Sequence, residues 1–350
     1  MQSDLVINQV HFDPSQITES TKQVCDGIRK VDEAEKDIFG DAVKMRASRP
    51  TAGQQGGEYV YIQSREPGRP IPCRVIRPTT KHANSGIFLH FHGGGLAVGT
   101  HDRNDALLQR CANASGCVAL SVGYLLAPEH PFPAPIQDCF DVADHLWKNG
   151  QEEFGGPLQF IGGESAGAYL TMQTFLHLAG TTSDSSSILG LVMTYGLYSW
   201  SFLPSNYTMR DTVCINTVKT NIFRDLCFNI EPAQIPKVCA SFEREFGTLA
   251  TQESPYDHDL KHPAASPLYR RLDDIGARLP HALFLCGTAD PTLDNTVLMS
   301  ARWQMAGGAA TTKFIAGAPH PFVELPIETG DCCVMAAEMI QQFLKERSLK

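Results

Sequence analysis

The chain of 350 residues has no run of eighteen apolar residues, so no transmembrane helix and no stable insertion into a membrane is expected. Its start, Met1-Gln2-Ser3-Asp4-Leu5, lacks a basic stretch followed by an apolar core, so no secretory signal is expected and the reading is cytoplasmic. Basic residues are in deficit: 29 Lys and Arg stand against 38 Asp and Glu, a formal charge of −9, which gives a nucleic-acid partner no electrostatic footprint. The 11 cysteines show no C-x-x-C spacing, and their odd, scattered count reads as reduced, mostly buried thiols, with Cys332 and Cys333 too close in sequence to pair readily. H-E-x-x-H is missing too. Asp257-His258-Asp259 with His262 sets two histidines at i and i+4, but the stretch runs into Pro263 and reads as a surface loop, so no metal is expected.

What is present is enough apolar residue, 43%, to bury one large core in an undivided α/β domain spanning 1–350. Within it, the short apolar run Leu158 to Ile161 leads into Gly163-Glu164-Ser165-Ala166-Gly167, and a helix-compatible stretch, Ala168 to Leu178, follows. Two glycines permit a turn tight enough to push the Ser165 side chain outward. A hydroxyl held there, at a helix N-terminus, is an unhindered nucleophile next to a dipole that favours developing negative charge.

Upstream, Gly86 to Phe91 reads as a buried strand running into His92-Gly93-Gly94-Gly95. Consecutive glycines let backbone N–H groups approach a forming oxyanion, and Gly93 and Gly94 with Ala166 are the candidate donors. A dinucleotide-binding loop would also carry such glycines. It expects an acid at the end of the next strand. That strand, Cys117 to Gly123, ends in Gly-Tyr-Leu-Leu.

The strand His281 to Gly287 is followed by Asp290, and the strand Thr312 to Ala316 by His320. The order Ser, Asp, His suits a general base at His320 and an orienting carboxylate at Asp290, each just past a strand end. Asp294 is a second acid nearby; it precedes a helix-like stretch, Asn295 to Ala306, whose free N–H groups it is expected to cap or whose dipole it is expected to complement.

Four blocks together resemble the hormone-sensitive-lipase-like carboxylesterases of the α/β-hydrolase superfamily: His92-Gly93-Gly94-Gly95, the stretch Tyr124 to Ala134, the Ser165 turn, and Ser266-Pro267-Leu268 leading to Asp290-Pro291 and His320. The resemblance runs from about residue 71 to the C-terminus. It implies a Ser–Asp–His triad, a backbone oxyanion hole and a helical cap. Family members usually carry Arg where Leu125 stands, Asp for Glu164, Gly for Ala168 and Gly for Pro321.

Along the chain, residues 16–39 read as an amphipathic helix, and a break from Arg49 to Gly57 follows. Tyr59 to Gln63 and Pro72 to Arg77 read as opening antiparallel strands, after which strands alternate with helices up to a last helix, Asp331 to Lys345. That pattern predicts a mostly parallel sheet flanked by helices. Between Tyr198 and about His262 the alternation stops and two helices are expected, Val218 to Phe228 and Pro232 to Phe246. This stretch, rich in aromatics (Trp200, Phe202, Tyr207, Phe223, Phe228, Phe242, Phe246), is read with residues 1–45 as a cap over a core of 58–197 and 263–350.

The resulting expectation is a serine hydrolase of small carboxylic esters with an apolar acyl group, working through an acyl-enzyme on Ser165 without a cofactor. A homodimer is compatible with it. Lactone or amide cleavage and biosynthetic cyclisation or release use the same machinery, and a non-catalytic ligand receptor is the remaining alternative.

Overall fold

The computed structural model describes residues 6–48, 57–79, 85–182, 184–201, 203–229, 260–273, 275 and 279–349. Eight strands form one sheet in the order β1-β2-β4-β3-β5-β6-β7-β8: β1 (Glu58–Gln63), β2 (Pro70–Ile76), β3 (Ile87–Phe91), β4 (Val118–Val122), β5 (Leu158–Glu164), β6 (Gly190–Thr194), β7 (His281–Gly287) and β8 (Ala310–Ile315). β2 runs antiparallel to β1 and β4, and every other pairing is parallel. The five residues of β3, β4 and β6 are all buried, which is why they read as continuous apolar runs rather than alternating ones. The α/β architecture expected from the alternation is the one observed.

Helices α1 (Glu19–Glu35), α2 (Ala42–Ala47), α3 (Asp105–Ser115), α4 (Ala134–Phe154), α5 (Ala166–Thr181), α6 (Pro204–Thr208), α7 (Thr217–Phe228), α8 (Leu293–Met305) and α9 (Asp331–Ser348) complete the described chain. On one face the core includes Phe140, Phe175, Met299 and Trp303 from α4, α5 and α8. On the other it includes Leu108 and Cys111 from α3 and Ile340 and Phe343 from α9. Each such apolar side chain contributes about 1.5–3 kcal/mol by leaving water. All ten described cysteines are free thiols; Cys332 and Cys333 lie 3.9 Å apart.

The N-terminal helix is shorter than its periodicity predicts. Thr18 caps it by accepting the Thr21 N–H at 3.1 Å, and it ends at Glu35. Ile38 and Phe39 then pack with Ala42, Met45, Val98 and Phe223 in a small separate cluster. Asp32 of α1 accepts from the Cys214 N–H at 2.8 Å and from Lys219 Nζ at 2.6 Å, tying the N-terminal segment to α7. Trp200 and Tyr198, placed in the cap by sequence, are buried in the main core, and Tyr207 is exposed. His262, expected in a surface loop, is buried, and its Nδ1 accepts the Ala264 N–H at 3.3 Å. The expected helix Pro232 to Phe246, Phe202, most of the break from Arg49 to Gly57, and Asp257-His258-Asp259 lie outside the described residues. Among the described residues no helix is long and apolar enough to cross a membrane.

Candidate functional site

β5 continues past its apolar run to Glu164, and α5 begins at Ala166, so Ser165 is the single residue between strand and helix. Its backbone is held at φ 55° and ψ −116°, a left-handed conformation disfavoured for residues with a Cβ. The flanking glycines permit this by letting chains nearly touch. A Cβ on Gly163 would lie 2.3 Å from Phe91 O, and one on Gly167 would lie 1.9 Å from the same oxygen. The end of β3 is therefore pressed against the turn, which places His92 to Gly95 beside Ser165.

His320 Nε2 lies 2.8 Å from Ser165 Oγ, and His320 Nδ1 lies 2.9 Å from Asp290 Oδ2. An ionised carboxylate only accepts, so the Nδ1 proton points to Asp290 and Nε2 is left to accept from the serine hydroxyl. Asp290 is completely buried; its Oδ1 accepts the Thr292 N–H at 2.8 Å and lies 2.8 Å from Thr292 Oγ1. The two loops are joined where the Gly317 N–H donates to Thr288 Oγ1 at 2.8 Å. The Tyr195 ring packs 4.7 Å from that of His320. Thr292 and Tyr195 were not singled out from sequence. Asp-x-Thr is a turn signal that points to Thr292, whereas nothing local marks Tyr195.

Asp294 stands close by but does other work. It lies inside the first turn of α8 rather than before it, and its Oδ2 accepts the Ser205 N–H at 2.8 Å. In the first turn it can complement the dipole of α8, while its hydrogen bond goes to the start of α6.

The candidate oxyanion donors Gly93, Gly94 and Ala166 line one pocket with Ser165, His320 and Gly95. Ala166 opens α5, where the first N–H groups have no partner within the helix. Ser165's own N–H is used by Thr194 O at 2.9 Å. Gly94 has φ 113°, and a Cβ there would lie 2.1 Å from Val98 O. Phe223 of α7 packs so tightly on Gly95 that a Cβ would meet its ring at 2.4 Å.

Among the described residues His92 forms no ion pair. It is buried, its Nδ1 donates to Gly93 O at 2.7 Å, and its ring stacks 4.2 Å from Tyr124, whose hydroxyl donates to His92 O at 2.7 Å. Burial pushes its pKa down to about 3, so the ring is neutral. Glu164 points away from the pocket: His90 Nε2 donates to its carboxylate at 3.0 Å, and Asn104 Nδ2 lies 3.4 Å from the same oxygen. The remaining pocket wall is largely apolar, with Phe39, Val98, Leu197, Trp200, Ile215 and Phe223, interrupted by Arg103, Asn104 and Glu324. Among the described residues no group of three or more His, Cys, Asp or Glu could hold a metal ion.

Comparison with known proteins agrees with this fold. The family described as alpha/beta hydrolase fold matches residues 88–324. The chain is 26% identical over 279 residues to an arylesterase of Saccharolobus solfataricus, covering 79% of this chain and 80% of the relative. It is 26% identical over 284 residues to the ethyl acetate hydrolase of Pseudomonas putida, with 79% and 80% covered. Among solved structures, the hyperthermophilic esterase of Pyrobaculum calidifontis superposes with a TM-score of 0.68 at 25% identity, covering 92% of each chain. The chain belongs to the hormone-sensitive-lipase-like carboxylesterase family of the α/β-hydrolase superfamily.

Proposed function

We propose that this carboxylesterase-type hydrolase cleaves small carboxylic esters through an acyl-enzyme on Ser165, with His320 as general acid and base and Asp290 as its orienter. The observation that carries the reading is the hydrogen-bonded chain Ser165–His320–Asp290, at 2.8 and 2.9 Å. His320 Nε2 takes the proton as Ser165 Oγ attacks the ester carbonyl. Asp290 stabilises the imidazolium. The developing oxyanion is met by the N–H groups of Gly93, Gly94 and Ala166 in a site already organised for it. Collapse expels the alcohol, which takes its proton from His320. Water, deprotonated by His320, then releases the acid. No step requires a cofactor.

The cap reading supports the same chemistry: Phe39 from the N-terminal segment and Ile215 and Phe223 from the 198–262 segment wall the pocket and limit water around the acyl-enzyme. Their apolar character suits short-to-medium acyl chains.

A fluorophosphonate probe tests the nucleophile. It is expected to label one residue, Ser165, and Ser165→Ala is expected to abolish labelling and turnover together, because the triad acts as a unit. Hydrolysis retained by the Ala variant, with label on another residue, would overturn the assignment.

A further inference from the structure

The turn that carries His320 brings a second acid to the same pocket. The Glu324 N–H donates to Pro321 O at 3.0 Å, and the side chain forms part of the wall beside the glycine loop. A Cβ built on Gly93 would lie 3.1 Å from Glu324 Oε1 and 3.6 Å from Ser165 Cβ, so the carboxylate stands within two contact lengths of the nucleophile. Among the described residues this carboxylate forms no hydrogen bond and no ion pair; the charges that act on it are those of Arg103, Glu164, His320 and His90.

The Glu324 side chain is only partly buried in the pocket, so a substrate that fills the pocket takes its water away and leaves the carboxylate in need of a partner. Burial raises its pKa above the ordinary value, with Arg103 the largest opposing influence. The acyl-enzyme chemistry does not use Glu324, and in either protonation state it can accept a hydrogen bond. A substrate group can supply the missing donor. An ammonium is a poor choice, since it would meet the Arg103 guanidinium and the imidazolium that forms on His320. A hydroxyl adds no charge and is less costly to desolvate in a pocket whose wall includes Leu197, Trp200 and Phe223.

We propose that Glu324 is a specificity-determining residue that accepts a hydrogen bond from a substrate hydroxyl one or two carbons from the scissile carbonyl, making hydroxyacyl esters the preferred class. This rests on Ser165 being the nucleophile. A hydrogen bond to a charged group is worth about 1.5–3 kcal/mol, which corresponds to roughly a ten- to hundredfold preference.

The test measures kcat and KM by pH-stat for ethyl butanoate, ethyl 3-hydroxybutanoate and ethyl 3-aminobutanoate with the wild type, Glu324→Gln and Glu324→Leu. The wild type is expected to favour the hydroxy ester over the plain one by about tenfold or more in kcat/KM. Gln, which still offers an acceptor, should lower that ratio, and Leu should bring it to one or below. A wild-type ratio near one, a ratio that survives Glu324→Leu, or a preference for the amino ester overturns the proposal. A residue that merely supports the His320 turn would slow both esters in proportion and leave the ratio unchanged. Should the Leu variant fail to fold, the wild-type ratio and the Gln variant still decide. Probe labelling of the same preparations separates the two readings: label absent from Ser165 overturns the nucleophile, whereas label on Ser165 with a ratio of one overturns only the role of Glu324.

Discussion

The Asp294 carboxylate accepts the Ser205 N–H at 2.8 Å while Ser205 Oγ accepts the Asp294 N–H at 3.2 Å, an exchange between the first turns of α8 and α6. The same serine hydroxyl donates to Pro291 O at 2.8 Å. One strand end thus carries two acids with different tasks: Asp290 turns its Oδ2 to His320, and Asp294 anchors the start of α6.

Asp290→Asn should leave the fold nearly intact and lower kcat on the order of 10⁴-fold at neutral pH, because the amide favours the wrong imidazole tautomer. Asp294→Ala should cost about 1 kcal/mol, the worth of a helix cap, and keep most of the turnover. Measuring kcat and Tm for both variants separates them; the reverse pattern would mean that the acids have been assigned the wrong way round.

Gly94→Ala should cripple turnover without unfolding the sheet. At φ 113° an L-residue is strained, and its Cβ would sit 2.1 Å from Val98 O, so the loop must shift. Loss of an oxyanion donor lowers kcat by about 10²–10³-fold. Far-UV circular dichroism should remain native. Near-normal kcat would argue that the Gly94 N–H is not a donor.

Glu164→Leu removes the acceptor for the buried His90 Nε2–H and should destabilise the protein by about 1–3 kcal/mol, the cost of a stranded donor. Adding His90→Leu should return part of that loss, since the imidazole N–H is no longer stranded, and only part, since Ser121 Oγ and Asn104 Nδ2 lose their partners. Urea unfolding of the four proteins forms the double-mutant cycle, and strictly additive values would disprove the coupling.

His92 should make the protein acid-sensitive. In the unfolded chain its pKa is about 6.5, so below that value the unfolded state takes up a proton that the folded state refuses until about pH 3. The contribution is complete above the unfolded pKa and is lost as pH falls from about 6.5 toward 3, at up to about 1.4 kcal/mol per pH unit. His92→Phe keeps a ring against Tyr124 but cannot titrate. Its urea midpoint should start lower at pH 8, where Gly93 O has lost a donor, and decline less steeply on acidification. Parallel slopes for the two proteins would remove His92 as the cause.

The sequence alone determined the alternation of strands and helices, the sharp turn at Ser165 and the loop positions of Asp290 and His320. These are local properties: buried parallel strands read as apolar runs, and Gly163 and Gly167 are read directly as a place where a side chain would not fit. Even Asp290 followed from its place just after β7. Element ends were less legible, as at α1, where the Thr18 cap and the inward turn of Ile38 and Phe39 cut a helix that periodicity would extend.

Only the tertiary structure decided what meets what. Glu164 and His90 stand 74 positions apart, and Glu324 approaches Gly93 solely because the ends of β3 and β8 open onto the same pocket. Asp294, read as a cap or a dipole partner for its own helix, lies in that helix's first turn and accepts its hydrogen bond from Ser205 of another. Pairings of this kind depend on how the sheet orders its strands. A carboxylate's local sequence gives its chemistry, while its partner is set by backbone packing far away in the chain.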